Sequence, residues 1–203
     1  MKLSRLLLAG GIAMPLLYFG TVAVAGLFYP GYDNIARAPS ELGAAGAPYP
    51  QIFNLGMVAT SVAALAGAAG LVVGLRQLGS GVFLSVLTGA SLALLGVSTA
   101  MSGLFPLPDP LHYGFGLTAA GLLTPLFGAL ALRPRGGAVR WVLLLAFVAG
   151  VALLAINLGA GGLVSASNTG LWLRALALAC FPAIGLLCWE AKRLVERRSG
   201  EPS

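Results

Sequence analysis

Charge is what this sequence has least of. Among 203 residues there are 12 Lys and Arg, 6 Asp and Glu, one histidine and two cysteines. Hydrophobic residues reach 58% against 9% charged, a balance that no water-soluble domain of this length needs to fill its core. The lone histidine cannot form a zinc site by itself, and HExxH and GxSxG are both missing, which removes the usual metalloprotease and nucleophile-elbow signatures. Cys180 and Cys188 stand eight apart on one predicted helix, so their backbones lie about 12 Å apart and cannot be bridged. They read as small apolar packing groups. The net charge of +6 comes from residues at the ends of apolar runs rather than from a patch interleaved with aromatics, so it indicates topology and not nucleic acid.

What the sequence has in abundance is long apolar runs. About 20 such residues cross a hydrocarbon core roughly 30 Å thick. Six runs qualify, at about 4–29, 51–75, 81–105, 111–132, 140–162 and 170–191. The fold class that follows is all-α, a polytopic membrane protein built as a single six-transmembrane-helix bundle spanning residues 1–203. If the helices alternate, Lys2, Arg5, Arg76, Arg133, Arg135, Arg140, Lys192, Arg193, Arg197 and Arg198 share one face, leaving only Arg37 and Arg174 on the other. The positive-inside rule makes the basic face cytoplasmic, with both termini on it and the protein multi-pass in the inner membrane. Ala23 and Ala25 give a small-x-small pattern, yet the apolar stretch exceeds a usual signal-peptide core, so the first run is read as an uncleaved span.

Helices in lipid approach closely where small residues expose backbone. Ala59, Ala63 and Gly67, the pair Gly70 and Gly74, and the stripe Gly81, Ser85, Gly89 and Ala93 predict that helices two and three meet across the turn at 76–80. Pro15, Pro125 and Pro182 lie inside apolar runs and read as kinks whose freed carbonyls find neighbours.

Polar groups inside a membrane are costly, and here they gather toward the outer half. Asn54 opens helix two, Ser98 and Ser102 close helix three, Asn157 comes late in helix five and Arg174 early in helix six. The first outer loop, about 30–50, carries Asp33, Arg37 and Glu41 and is long enough to form a folded cap. Ser40 is expected as N-cap of a turn beginning at Glu41. Arg174, partly sunk at the interface, is expected to seek a carboxylate, with Glu41 leading and Asp33 or Asp109 next. In FPLPDPLHYGF, residues 105–115, Asp109 reads as the N-cap of a fourth helix starting at Pro110, with His112 one turn in. That corner accounts for DPLH without catalysis, and it leaves acid-base use of His112 open.

At PGYD (Pro30–Asp33), SELGAAGAP (Ser40–Pro48), Asn54 and FPLPD with His112, the chain resembles domain-of-unknown-function family 998, a family of prokaryotic membrane proteins. The resemblance implies six membrane helices and two shared outer loops, and brings no activity with it.

The functional expectation is an outward-facing polar pocket that binds a lipid headgroup or small amphiphile through Arg174, Asp33, Arg37, Asp109, Asn54, Ser98, Ser102 and Asn157. The alternative is a membrane-embedded lipid hydrolase or transferase in which Glu41 or His112 activates water or a hydroxyl. A small transporter fits less well, because no acid lies at mid-membrane. A homo-oligomer or a place in a larger membrane complex stays open. Membrane lipids are the expected partners, with no nucleic acid, metal or cofactor.

Overall fold

A computed structural model describes residues 2–133 and 135–200. Helices dominate: α1 (Lys2–Leu27), α2 (Pro50–Gln77), α3 (Val82–Leu104), α4 (Leu123–Ala131), α5 (Gly137–Asn157) and α6 (Thr169–Arg198), with no strand among the described residues. Counting Pro110–Ala131 as one crossing, six helical stretches are long and apolar enough to span a membrane. α6 continues past 191 to Arg198, and α5 ends at Asn157, earlier than expected, because Gly159, Gly161 and Gly162 all turn to positive φ.

The fourth crossing departs from a regular helix. Only Leu123–Ala131 is α-helical; Pro110–Leu122 is a 3-10-like segment interrupted by Gly114, Phe115 and Gly116 at φ 52°, 53° and 75°. Left-handed backbone suits glycine, and Gly114 is tightly held as well, since a Cβ there would lie 2.8 Å from the Ser98 Cα. Phe115 is the one described non-glycine residue at positive φ. Apolar periodicity alone could not reveal this break.

Glycines set the packing, with a different division of labour from the one the stripes suggest. Gly67 and Gly70 of α2 close on the α1 main chain, Gly67 touching α3 only through the Leu92 side chain: a Cβ on Gly67 would stand 2.6 Å from the Gly11 Cα, and one on Gly70 2.7 Å from the Leu8 amide nitrogen. α3 meets α2 through Gly89, Gly96 and Gly103, spaced seven apart, which close on Ala68, on Leu65 and Ala64, and on Met57 respectively. Seven residues are two helical turns, so the three glycines form one seam. On the far side of α1, Pro15 is seated on Gly185 of α6, whose absent Cβ would come within 2.9 Å of the proline ring. Both cysteines are buried and unbridged.

At the basic end, the Ser4 hydroxyl donates to the Gln77 side chain at 3.0 Å and the Arg198 guanidinium to the Gln77 carbonyl, tying the ends of α1 and α6 to α2.

Candidate functional site: a clamped cap over an uncharged cavity

The loop between α1 and α2 folds into a cap, and its first half is locked to α6. Asp33 accepts from the amides of Ile35 and Ala36 at 2.7 and 3.2 Å, and those two bonds hold its carboxyl below the usual carboxylate range. The turn they make aims two carbonyls at the start of α6, where Leu171 donates to Ile35 at 2.8 Å and Gly170 to Ala36 at 3.3 Å. These satisfy amides that a helix N-terminus otherwise leaves unpaired. Gly170 is required there because a Cβ would collide with the carbonyls of Arg37 and Asn34.

Arg174 completes the clamp. One guanidinium nitrogen donates to the carbonyls of Asn34 at 2.6 Å, Arg37 at 2.9 Å and Gly170 at 3.1 Å; the other donates to the Tyr32 hydroxyl at 2.9 Å. Tyr32 in turn donates to the Ala38 carbonyl at 2.7 Å. Burial pushes its phenol above the ordinary value, against the opposing pull of Arg174. The expected Arg174–Glu41 pair is therefore not formed. Glu41 instead accepts from Arg37 Nε at 2.8 Å and from the Ala38 amide at 2.8 Å, and Arg37 also donates to the Tyr29 hydroxyl at 2.8 Å. Arg37 is nearer in sequence and lies over the Tyr29 ring at 4.6 Å, so it takes the carboxylate first, and its own pKa rises with the bond. Ser40 does not cap the short turn at Pro39–Gly43; Ala38 occupies the cap position in extended backbone and Glu41 reaches back to it.

The second loop joins the first through the Ala45 amide, which donates to the Leu107 carbonyl at 3.0 Å. Asp109 is the N-cap, accepting from Leu111 at 2.8 Å ahead of Pro110, but it caps the 3-10 segment rather than a regular helix. His112 is 3% exposed. Its Nδ1 bonds the Phe105 carbonyl at 2.9 Å, and Ser102 donates to the His112 carbonyl at 3.1 Å.

Beneath this cap lies a cavity of about 320 Å³. Its floor is apolar, formed by Phe53, Met57, Leu95, Cys180 and Phe181, and its mouth is bordered by the exposed residues Tyr113, Thr118 and Ala119 of the fourth crossing. Polar edges come from Tyr18, Ser40, Thr99, Ser102 and His112. Among the described residues no ionised side chain lines it.

A family model described as Protein of unknown function (DUF998) matches residues 12–190. The chain belongs to this family. No curated protein and no solved structure is detectably similar to it. The stretches that carry the family resemblance, Pro30–Asp33, Ser40–Pro48, Asn54 and the Phe105–His112 corner, all lie in the cap, the loop beneath it or the first turns of α2.

The structure divides the predicted site residues among distinct tasks. His112 and Ser102 reach the cavity, joined by Ser40. Asp33, Arg37, Glu41 and Arg174 are committed to the cap. Asn157 donates to Leu153 at 2.8 Å and Trp172 at 3.2 Å, bridging α5 to α6, while Ser98 shares a 2.6 Å hydrogen bond with Thr118. Asn54 donates to the Gly43 carbonyl at 3.1 Å, and its buried side-chain oxygen has no partner among the described residues. Among the described residues no three His, Cys, Asp or Glu side chains converge.

The parts that Tyr18, Tyr29 and Tyr32 play are not legible in the sequence pattern. A phenol in mid-span at Tyr18 and the repeated tyrosines of YPGY are the available signals, but tyrosine near a membrane interface reads equally well as an amphipathic anchor. Glu190 was missed too. It is 1% exposed and held by Arg193 through two bonds of 2.8 and 2.6 Å.

Proposed function

We propose that this protein binds the apolar chain of a membrane amphiphile in the cavity under the cap, with the cap end facing away from the cytoplasm. The carrying observation is the pairing of an apolar, uncharged cavity of about 320 Å³ with a mouth bordered by exposed residues of the fourth crossing, the irregular one. That volume stands at the lower end of ligand pockets and suits one chain. Recognition of a charged headgroup by Arg174 and Glu41 has lost its support, since every strong contact of both is spent on the cap. A hydrolase reading through Glu41 weakens for the same reason.

Photolabelling of the purified protein with a diazirine-bearing acyl chain, followed by peptide mapping, tests this. Adducts on Leu95, Phe181 or Met57 are expected, and Ala177→Phe, which fills the cavity, lowers them several-fold while thermal unfolding stays cooperative. Adducts confined to lipid-facing positions of α5 such as Val148, unaffected by the filling substitution, would reject the cavity as a binding site.

A further inference from the structure

We infer that the polar end of the bound chain is an uncharged hydroxyl, received by His112 Nε2. The inference rests on the cavity reading above and adds the chemistry of the occupant. It begins with the tautomer. His112 Nδ1 lies 2.9 Å from the Phe105 carbonyl, which can only accept, so Nδ1 carries the proton of the neutral ring and Nε2 keeps its lone pair. Nothing in the surrounding chain uses that lone pair: among the described residues His112 makes no other side-chain hydrogen bond, and Asp109 is turned to the Leu111 amide. The ring is 3% exposed and the residue lines the cavity, so the cavity is where a partner for Nε2 can stand.

The remaining polar edges narrow the choice. The Thr99 and Ser102 protons are spent on the Leu95 and His112 carbonyls, at 2.8 and 3.1 Å, so these oxygens face the cavity as acceptors. Tyr18, stacked on Phe181 at 4.3 Å, brings a phenol, and Ser40 a hydroxyl, neither with a side-chain hydrogen-bond partner among the described residues. A hydroxyl answers this inventory because it both donates and accepts. An ionised carboxylate has no proton to donate, and a phosphate carries at least one negative charge; no cation among the described lining residues receives either, so its entry would bury an unpaired charge. An ester or ketone carbonyl also lacks the proton that Nε2 requires. The class is thus a long-chain alcohol or a lipid whose head ends in a free hydroxyl, such as a diacylglycerol.

The test compares four photoreactive probes of equal chain length against the purified full-length protein: a long-chain alcohol, its methyl ether, its phosphate monoester and a diacylglycerol. Wild-type protein is expected to bind the alcohol about ten-fold more tightly than the ether, the cost of leaving one buried acceptor unmade, with the phosphate weaker than the alcohol. His112→Asn, whose amide can still reach the Phe105 carbonyl but has nothing at the Nε2 position, should erase the alcohol-to-ether ratio; His112→Gln should keep part of it. Comparable binding of alcohol and diacylglycerol assigns the site to either source, and preference for one names it. Equal binding of alcohol and ether, or a preference for the phosphate, overturns the inference while leaving the cavity reading intact. Failure of every probe to label cavity residues removes both. The wild-type comparison needs no variant to fold.

Discussion

Arg174 shows how one side chain can replace an ion pair by a set of carbonyls. Its planar fork meets three main-chain oxygens and a phenol, an arrangement that the point charge of a lysine does not reproduce. Arg174→Ala is therefore expected to cost about 2–3 kcal/mol, in the range of hydrogen bonds to charged groups, and Tyr32→Phe about 1 kcal/mol. Thermal unfolding in detergent would measure both. A double-mutant cycle decides the pairing: coupling of about 0.5–1 kcal/mol between Arg37 and Glu41, a half-exposed pair, and coupling close to zero between Arg174 and Glu41. Strong coupling of Arg174 to Glu41 would contradict the cap geometry. Sequence reading identified these residues as a group, because ionisable residues at a membrane boundary must find partners. It could not choose among the partners, because three backbone carbonyls leave no mark in the residue types.

At the level of helices, small residues fix how near two backbones come, but a stripe does not say which neighbour it serves. The α2 glycines were legible as contact points, while their assignment to α1 depended on three-dimensional crossing angles that the pattern lacks. The seven-residue spacing of Gly89, Gly96 and Gly103 was present in the sequence, hidden behind the more conspicuous four-residue rows. Gly67→Ala should destabilise by about 1–3 kcal/mol, because the new methyl would meet α1 main chain that cannot yield. Gly81→Ala, which meets nothing within 4 Å, should be close to neutral. Parallel denaturation of the two variants separates a packing stripe from a coincidental one. The broken fourth crossing lay beyond reading for a related reason: hydropathy counts apolar residues and is blind to the sign of φ.

For the whole molecule, the bundle has two chemically distinct ends. One collects ten of the twelve basic residues and the other holds the cap, with acidic and basic groups balanced inside it. The orientation proposed above rests on that asymmetry. A cysteine placed at Gly46 should be modified in intact cells by a charged, impermeant thiol reagent, whereas one placed at Ala138 should react only after lysis; the native cysteines, being buried, stay silent. The opposite pattern would invert the topology. Helix number and the polarity of the ends were readable because the bilayer imposes length and charge rules on any chain that crosses it. The cavity was not, since its floor is made of residues indistinguishable from ordinary core.

The rim of that cavity has a further property. Between the rim residues Tyr113 and Thr118 the chain reverses hand at Gly114 to Gly116, so a left-handed turn and not a regular helix sets where those two side chains stand. A side chain introduced at Gly116 would strain that reversal, so the contour of the opening hangs on a residue that does not itself line it.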